Sequence, residues 1–137
     1  MTCDQHLIAR NLKKQYQNKV AVRDISLSVT SGQVVGLLGP NGAGKTTCFY
    51  MIAGLVRADH GNISLHGKDI SRLPMHARAK AGLGYLPQEA SIFRKLSVSE
   101  NILAVLEAVT DLPKSARLDK TDLLLKEFNL EHVRNSI

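Results

Sequence analysis

Aromatic residues, cysteines and long apolar runs are all scarce in this chain of 137 residues. Only 4% of the residues are aromatic, and they do not alternate with basic residues as in proteins that stack on single-stranded nucleic acid. The net charge is +6, and the charged residues are dispersed along the chain, which is typical of a solvated surface. Binding to an anionic membrane surface is the alternative interpretation. We expect no nucleic-acid partner.

The sequence also lacks an apolar run of about eighteen residues, the minimum for a transmembrane helix. Its first residues, Met1–His6, have no basic stretch followed by an apolar segment, which argues against a secretory signal. The two cysteines, Cys3 and Cys48, are expected to be free thiols, one on the surface and one packed. These absences predict a cytoplasmic protein.

The most specific pattern in the chain is Gly-Pro-Asn-Gly-Ala-Gly-Lys-Thr, from Gly39 to Thr46. It matches the phosphate-binding loop, or P-loop, of nucleotide-binding proteins. Its glycines let the backbone turn N–H groups toward an anion, and the helix that follows offers the positive end of its dipole. Lys45 supplies a charge for the outer phosphates, and the Thr46 hydroxyl can bind Mg²⁺. The pattern predicts a nucleotide-phosphate site.

The segments on either side of this loop fit a P-loop, which joins a buried strand to a helix. Gln33–Leu38 is nearly continuously apolar and predicts the strand. Thr47–Leu55 predicts the helix, with Phe49, Ile52 and Ala53 on one face. Other strands are predicted at His6–Leu12, Asp24–Val29, Gly61–Leu65 and Leu83–Leu86, and a short helix from Pro74 to about Lys80.

Beyond Gln88 the pattern becomes helical. Ser97 and Glu100 have the spacing of a capping box, in which each satisfies the other's backbone N–H group. Apolar residues then share one helical face, at Ile102, Leu103, Leu106 and Val109, and a second helix is predicted over Leu118–Phe128 with Leu124, Leu125 and Phe128 toward a core. The sequence therefore predicts an α/β nucleotide-binding part over residues 1–90 and a helical part over residues 91–137.

Hydrolysis of a nucleotide by a P-loop protein also needs acidic residues at the end of a second buried strand. No apolar run after the P-loop meets this requirement with the spacing of a strand. The nearest candidates, Ile102–Glu107 and Leu123–Glu127, both have helical spacing. The residues themselves thus predict nucleotide binding without the parts for turnover.

The P-loop and three other runs together resemble the ATP-binding subunits of ABC transporters. Besides the P-loop, Gly39–Thr47, these are the single upstream residue Tyr16 and the segments Tyr85–Gln88 and Leu96–Ile102. The resemblance covers the N-terminal portion of such a subunit and implies a P-loop NTPase core of the ABC type, with an antiparallel β subdomain and the start of a helical subdomain. Further runs are similar to the branch that exports lipopolysaccharide: Phe49–Leu55, Leu73–Ala79 and Tyr85–Val98.

The resemblance implies ATP and Mg²⁺ as ligands. It implies that Tyr16 stacks on adenine, that Lys45 and Gln88 take part in catalysis, and that Thr46 and Gln88 contact Mg²⁺. The alternatives are a packed or surface Tyr16 and a surface Gln88 in a turn. Residues implied to bind the nucleotide phosphates are Gly39, Asn41, Gly42, Ala43, Gly44, Lys45, Thr46 and Thr47.

The resemblance also implies protein partners. Phe93, Arg94 and Leu96 are candidates to line a groove for a short helix of the transmembrane permease subunits, with ordinary packing of Phe93 as the alternative. The complete subunit is expected to be a homodimeric ATPase, peripheral on the cytoplasmic face of the inner membrane. This chain lacks the family's signature motif and catalytic Glu, so we expect it to be inactive alone. A nucleotide-binding module without turnover and an ABC ATPase for another substrate are the alternatives.

Overall fold

The computed structural model describes residues 6–137, so the expected surface thiol of Cys3 lies outside the described residues. The chain divides into two compact units, of which the first ends at Tyr85 and the second runs from Leu86 to Ile137. The predicted division near residue 90 refers to the domains of a complete subunit and stays a prediction.

An antiparallel sheet of four strands is the main element of the first unit. The strands are β1 (His6–Tyr16), β2 (Lys19–Thr30), β3 (His60–Leu65) and β4 (Lys68–Asp69), in the spatial order β2-β1-β3-β4. Three of them confirm the predicted strands, and β1 and β2 extend further than predicted because they continue as one long hairpin. In the second half of β2, Ile25, Leu27 and Val29 are half-buried and alternate with the exposed Ser26 and Ser28, as the period-two pattern predicts.

The central strand β1 contains a bulge at Arg10 and Asn11. Ala9 pairs with Leu27 and Leu12 with Ile25, so three steps along β1 match two along β2. The pairing with β3 shifts at the same place. Asn11 has a φ of 50°, and its N–H group donates to the Ser26 hydroxyl at 2.9 Å. The bulge is therefore a fixed feature of the strand.

Helix α1 (Lys45–Ala53) packs on the hairpin and completes the core of the first unit. The thiol of Cys48 is free and buried there, as predicted for one of the two cysteines, and burial raises its pKa. Phe49 was predicted to share one apolar face with Ile52 and Ala53, which are buried, but it is 49% exposed. It points to the same side as the buried Ile52 by helical spacing, yet it lies nearer the start of α1, where no described element covers it. The core residues are Ala9, Leu12, Val22, Cys48, Met51, Ile52, Ile63, Leu65 and Ile70.

Two predicted strands are absent from the described residues. Neither Gln33–Leu38 nor Leu83–Leu86 pairs with a strand of the sheet over residues 6–137. Val34 is fully exposed and Leu38 is 94% exposed. A strand persists only where a neighbour takes up its backbone hydrogen bonds, and the described part provides none for these segments. The short helix after Pro74 is present as α2 (Met75–Lys80).

The second unit consists mainly of helices α3 (Val98–Val109) and α4 (Lys114–Glu127), followed by a short 3₁₀ turn over Glu131–Val133. The capping box is confirmed, because the Glu100 N–H group donates to the Ser97 hydroxyl and the Ser97 N–H group to the Glu100 carboxylate. Both rejected candidates for an acidic strand are helical, as predicted.

The apolar faces of α3 and α4 meet around Leu106 and Leu125, which are buried. Phe128 was predicted to face the core but is 62% exposed, and Val109, predicted to share a helical face with Leu106, is 60% exposed. Val109 is the last residue of α3, and Phe128 is the C-cap residue that follows α4. No helix within residues 6–137 has the length and hydropathy needed to cross a bilayer.

Candidate nucleotide site

The turn from Gly39 to Gly44 owes its shape to glycines with positive φ. Gly42 has a φ of 83° and Gly44 a φ of 87°, in the left-handed region that residues with a Cβ avoid. Gly44 also lies against β2, where a Cβ would overlap the carbonyl oxygen of Ala21 and lie 3.0 Å from Val22 Cγ2. Both the backbone conformation and the close approach therefore require glycine at position 44.

Helix α1 starts directly after this turn, with Gly44 as its N-cap residue. No side chain caps it, and its first turn contains no acidic residue. The first amides of a helix have no intrahelical acceptor, and the helix dipole adds positive potential at this end. The start of α1 is thus suited to an anionic ligand.

Lys45 folds back over the loop. Its Nζ donates to the carbonyl oxygen of Gly39 at 2.5 Å and to that of Pro40 at 2.7 Å. Both acceptors are neutral, and a hydrogen bond from an ammonium to a phosphate is stronger than one to a carbonyl. A phosphate group can therefore compete with the loop for this ammonium.

The other predicted phosphate ligands lie around Lys45. Asn41 and Ala43 are exposed, and the Ala43 N–H group donates to the Pro40 carbonyl at 3.2 Å. Thr46 is exposed in the first turn of α1, and Thr47 is half-buried. The structure thus brings the whole predicted phosphate set into one loop and one helix start, and the exposed Thr46 hydroxyl provides an oxygen donor of the type that Mg²⁺ prefers.

Tyr16 is the last residue of β1, and its side chain is 46% exposed. The ammonium of Lys14 lies 5.3 Å from the centre of the Tyr16 ring, within the range of a cation–π contact. Asp59 holds that ammonium at 2.8 Å and also accepts from the Gln15 N–H group at 2.8 Å. The hydrogen bonds from Lys14 and Gln15 lower the pKa of the Asp59 carboxyl. Sequence analysis missed both Lys14 and Asp59, because an ion pair between distant residues leaves no local pattern.

Gln88 lies in the second unit, exposed on a bend, whereas the P-loop and Tyr16 belong to the first. Exposure leaves its side-chain amide accessible.

The second unit contains an apolar groove of about 470 Å³. Phe93, Arg94 and Leu96, the predicted partner-binding residues, all line it. Phe93 is 60% exposed. The other lining residues are Ile92, Val98, Asn101, Ile102, Leu130, Ser136 and Ile137.

Asn101 holds the loop that forms one side of this groove. Its Oδ1 accepts from the Phe93 N–H group at 2.8 Å, and its Nδ2 donates to the carbonyl oxygens of Phe93 and Leu96, both at 3.1 Å. Sequence analysis did not single out Asn101. An Asn in the first turn of a helix, just after an irregular loop, is the signal that could have indicated this role.

Proteins of similar sequence to this chain are described as ATP-binding proteins. The chain is 58% identical over 131 residues to the lipopolysaccharide export system ATP-binding protein LptB of Haemophilus influenzae, and 56% identical over 131 residues to LptB of Escherichia coli strain K12. Each match covers 96% of this chain and 54% of the relative. A probable ABC transporter ATP-binding protein of Azorhizobium caulinodans is 56% identical, over 98% of this chain and 48% of the relative. The chain thus spans about half the length of the curated relatives it matches.

Solved structures agree with the sequence relatives. A nucleotide-free ATP-binding cassette from an ABC transporter has a TM-score of 0.78 and 26% identity, over 95% of this chain and 56% of that chain. An ATP-binding subunit of an ABC transporter has a TM-score of 0.79 and 28% identity, over 96% of this chain and 53% of that chain. The fold is therefore the P-loop core of ABC-type ATPases with its antiparallel β subdomain. The family model described as ABC transporter matches residues 22–137, and the chain accordingly belongs to the ABC transporter family.

Proposed function

We propose that this chain is the nucleotide-binding part of an ABC transporter ATPase that drives lipopolysaccharide export. The observation that carries the nucleotide assignment is the geometry of the P-loop, in which Gly42 and Gly44 turn the backbone and Lys45 reaches back over it. The export assignment is supported by the 58% and 56% identity to LptB proteins. ATP is the substrate, and the complete subunit hydrolyses it.

The phosphates of ATP bind at the start of α1. The free N–H groups there donate to phosphate oxygens, and Lys45 exchanges the carbonyls of Gly39 and Pro40 for the β- and γ-phosphates. The amide of Ala43 leaves the Pro40 carbonyl in the same exchange. Gly39, Asn41 and Thr47 complete the contacts. The nucleotide therefore replaces the hydrogen bonds that Lys45 and Ala43 make within the loop.

Thr46 and Gln88 provide the oxygen atoms that hold Mg²⁺ in this proposal. Bound Mg²⁺ would neutralise charge on the phosphates during transfer. Gln88 also orients the water that attacks the γ-phosphate. In this proposal Gln88 also couples the nucleotide site to the membrane partners.

Tyr16 stacks on the adenine ring. Its ring is partly exposed, and stacking between an aromatic side chain and a base is worth about 1–3 kcal/mol. The Lys14 ammonium, held by Asp59, keeps the ring in place. The end of the hairpin thus serves as the base-binding platform.

The groove around Phe93, Arg94 and Leu96 receives a short helix of the transmembrane permease subunits. An apolar groove with an exposed aromatic residue at its edge is suited to the apolar face of an amphipathic helix. This contact holds the subunit at the cytoplasmic face of the inner membrane, and the complete subunit acts as a homodimer.

The test uses the complete natural polypeptide that contains this chain, with Lys45→Ala and a control, Lys68→Ala, on the exposed strand β4. We expect Lys45→Ala to weaken ATP binding by at least about tenfold, since hydrogen bonds of a charged group contribute about 1.5–3 kcal/mol. Lys68→Ala should bind as the wild type does. Isothermal titration measures both, and unchanged binding by Lys45→Ala would refute the site.

The export assignment needs its own test. In cells depleted of their own LptB, the wild-type polypeptide should restore lipopolysaccharide at the outer surface, and Lys45→Ala should not. If the purified protein hydrolyses ATP normally but the wild type does not restore lipopolysaccharide at the outer surface, the ATPase assignment would stand. Lipopolysaccharide as the cargo would then be refuted.

A further inference from the structure

Arg78 is a buried cation in helix α2, with only 3% of its surface exposed. Its Nη1 donates to the carbonyl oxygens of Met51 and Ile52, both at 2.7 Å. Its Nε donates to the Leu73 carbonyl at 2.8 Å and its Nη2 to the Ser71 carbonyl at 2.9 Å. The guanidinium thus joins the end of one helix to the loop that precedes another.

Met51 and Ile52 lie in the last turn of α1, where helix carbonyls lack the i+4 donors of the helix interior, and the Met51 carbonyl also accepts from the Gly54 N–H group at 3.3 Å. A cation at this end is favoured by the helix dipole, and a planar guanidinium can serve several carbonyls at once. The other end of the same helix carries Lys45 and Thr46. Arg78 therefore fixes one end of a short rigid helix whose opposite end forms the phosphate site.

Gly54 gives an independent indication that the backbone is arranged around this guanidinium. It follows α1 with a φ of 86°. A Cβ there would lie 2.9 Å from Nε and 3.1 Å from Cδ of Arg78, and 3.1 Å from the Met75 nitrogen. Only a residue without a side chain lets the arginine come this close.

We infer that Arg78 is a positioning residue for nucleotide binding, acting through α1 on the P-loop. The inference rests on the proposed function of the P-loop. A nine-residue helix transmits a shift at one end to the other with little loss, because its backbone hydrogen bonds make it stiff. Loosening the anchor at Met51 and Ile52 therefore displaces Lys45 and the first amides of α1 relative to the phosphates.

The test compares Arg78→Lys with the control Lys80→Ala in the complete natural polypeptide. Lys keeps the charge but loses the planar fork of donors, and Lys80 is an exposed residue of the same helix. The KM for ATP and kcat are measured well below the unfolding temperature of each variant, and the melting temperature is measured separately by thermal unfolding. We expect Arg78→Lys to raise the KM about tenfold with kcat little changed, because small displacements of binding groups are costly. Lys80→Ala should match the wild type.

A purely structural role would lower the melting temperature of Arg78→Lys and leave its KM at the wild-type value, which would overturn the inference. Lys45→Ala, measured in parallel, separates the two proposals. Loss of binding in Lys45→Ala alone would refute only the role of Arg78, whereas normal binding in both variants would refute the P-loop site as well. If Arg78→Lys does not fold, Gly54→Ala decides, because its Cβ displaces the guanidinium without removing it. A wild-type KM in Gly54→Ala would then overturn the inference, and a raised KM would support it.

Discussion

Gly44 and Gly42 offer a direct test of how the P-loop is built. Both have a positive φ, of 87° and 83°. Alanine at either position has to adopt the left-handed conformation, at about 1–2 kcal/mol. Alanine also loses less backbone entropy on folding than glycine, and this gain is the same for both variants. These two contributions therefore cancel when the variants are compared.

The difference between the two positions lies in their surroundings. Nothing lies within 4 Å of a Cβ built on Gly42, whereas a Cβ on Gly44 overlaps the Ala21 carbonyl and approaches Val22. Forcing an extra methyl group into a packed site costs about 1–3 kcal/mol. We therefore expect Gly44→Ala to destabilise the protein by about 1–3 kcal/mol more than Gly42→Ala does.

Urea denaturation of the complete natural polypeptide without nucleotide measures this difference, as a shift in midpoint at constant m. Hydrogen exchange over Cys48–Ala53 locates it in α1, because local opening there reports the same loss. Equal midpoints and equal exchange in the two variants would show that the loop moves away from β2 at no cost. The packing argument for Gly44 would then be wrong.

Three further predictions concern other parts of the chain. Tyr16→Ala should weaken ATP binding by about 1–3 kcal/mol and Tyr16→Phe should largely keep it, as measured by titration calorimetry; equal losses in both would remove the stacking role. Phe93→Ala should reduce copurification with the transmembrane subunits, whereas Phe128→Ala, equally exposed in the same unit, should not; intact folding and copurification of Phe93→Ala would remove the groove from the proposal. Hydrogen bonds from the Ser97 N–H and hydroxyl groups lower the pKa of the Glu100 carboxyl. The Glu100 carboxylate therefore contributes fully to stability above the pKa of an ordinary Glu, about 4.3. This contribution is lost as the pH falls through the lower pKa that Glu100 has in the folded protein. Glu100→Gln should flatten that acid-side loss in urea midpoints, and identical profiles for variant and wild type would contradict it.

Features that depend on nearby residues were predictable from the sequence. The P-loop turn follows from glycine spacing, and the start of α3 follows from Ser97 and Glu100. The strands predicted at Gln33–Leu38 and Leu83–Leu86 do not pair with the sheet in the described residues. A strand depends on a partner strand that its own residues do not specify. Local pattern predicts the tendency of a segment, and the rest of the fold decides whether it is realised.

The same distinction holds for the candidate site. The position of Lys45 beside the start of α1 could be predicted, since the motif fixes it. The pair of Lys14 and Asp59 could not, because those residues are far apart in sequence and meet only across the sheet. The role of Arg78 could not be predicted either, since its partners are backbone carbonyls, which every residue has.

The bulge in β1 decides on which side of the sheet Tyr16 stands. Side chains of a strand alternate between two faces, and one extra residue exchanges the faces for everything that follows. Leu12, in the core beside α1, therefore shares its face with Lys14 and Tyr16, two and four positions further along. Strict alternation from the buried Ala9, without a bulge, would place Tyr16 on the opposite face, where Lys13 and Gln15 now stand. The orientation of the proposed adenine platform is thus set by the bulge at Arg10 and Asn11, several residues before Tyr16 in the same strand.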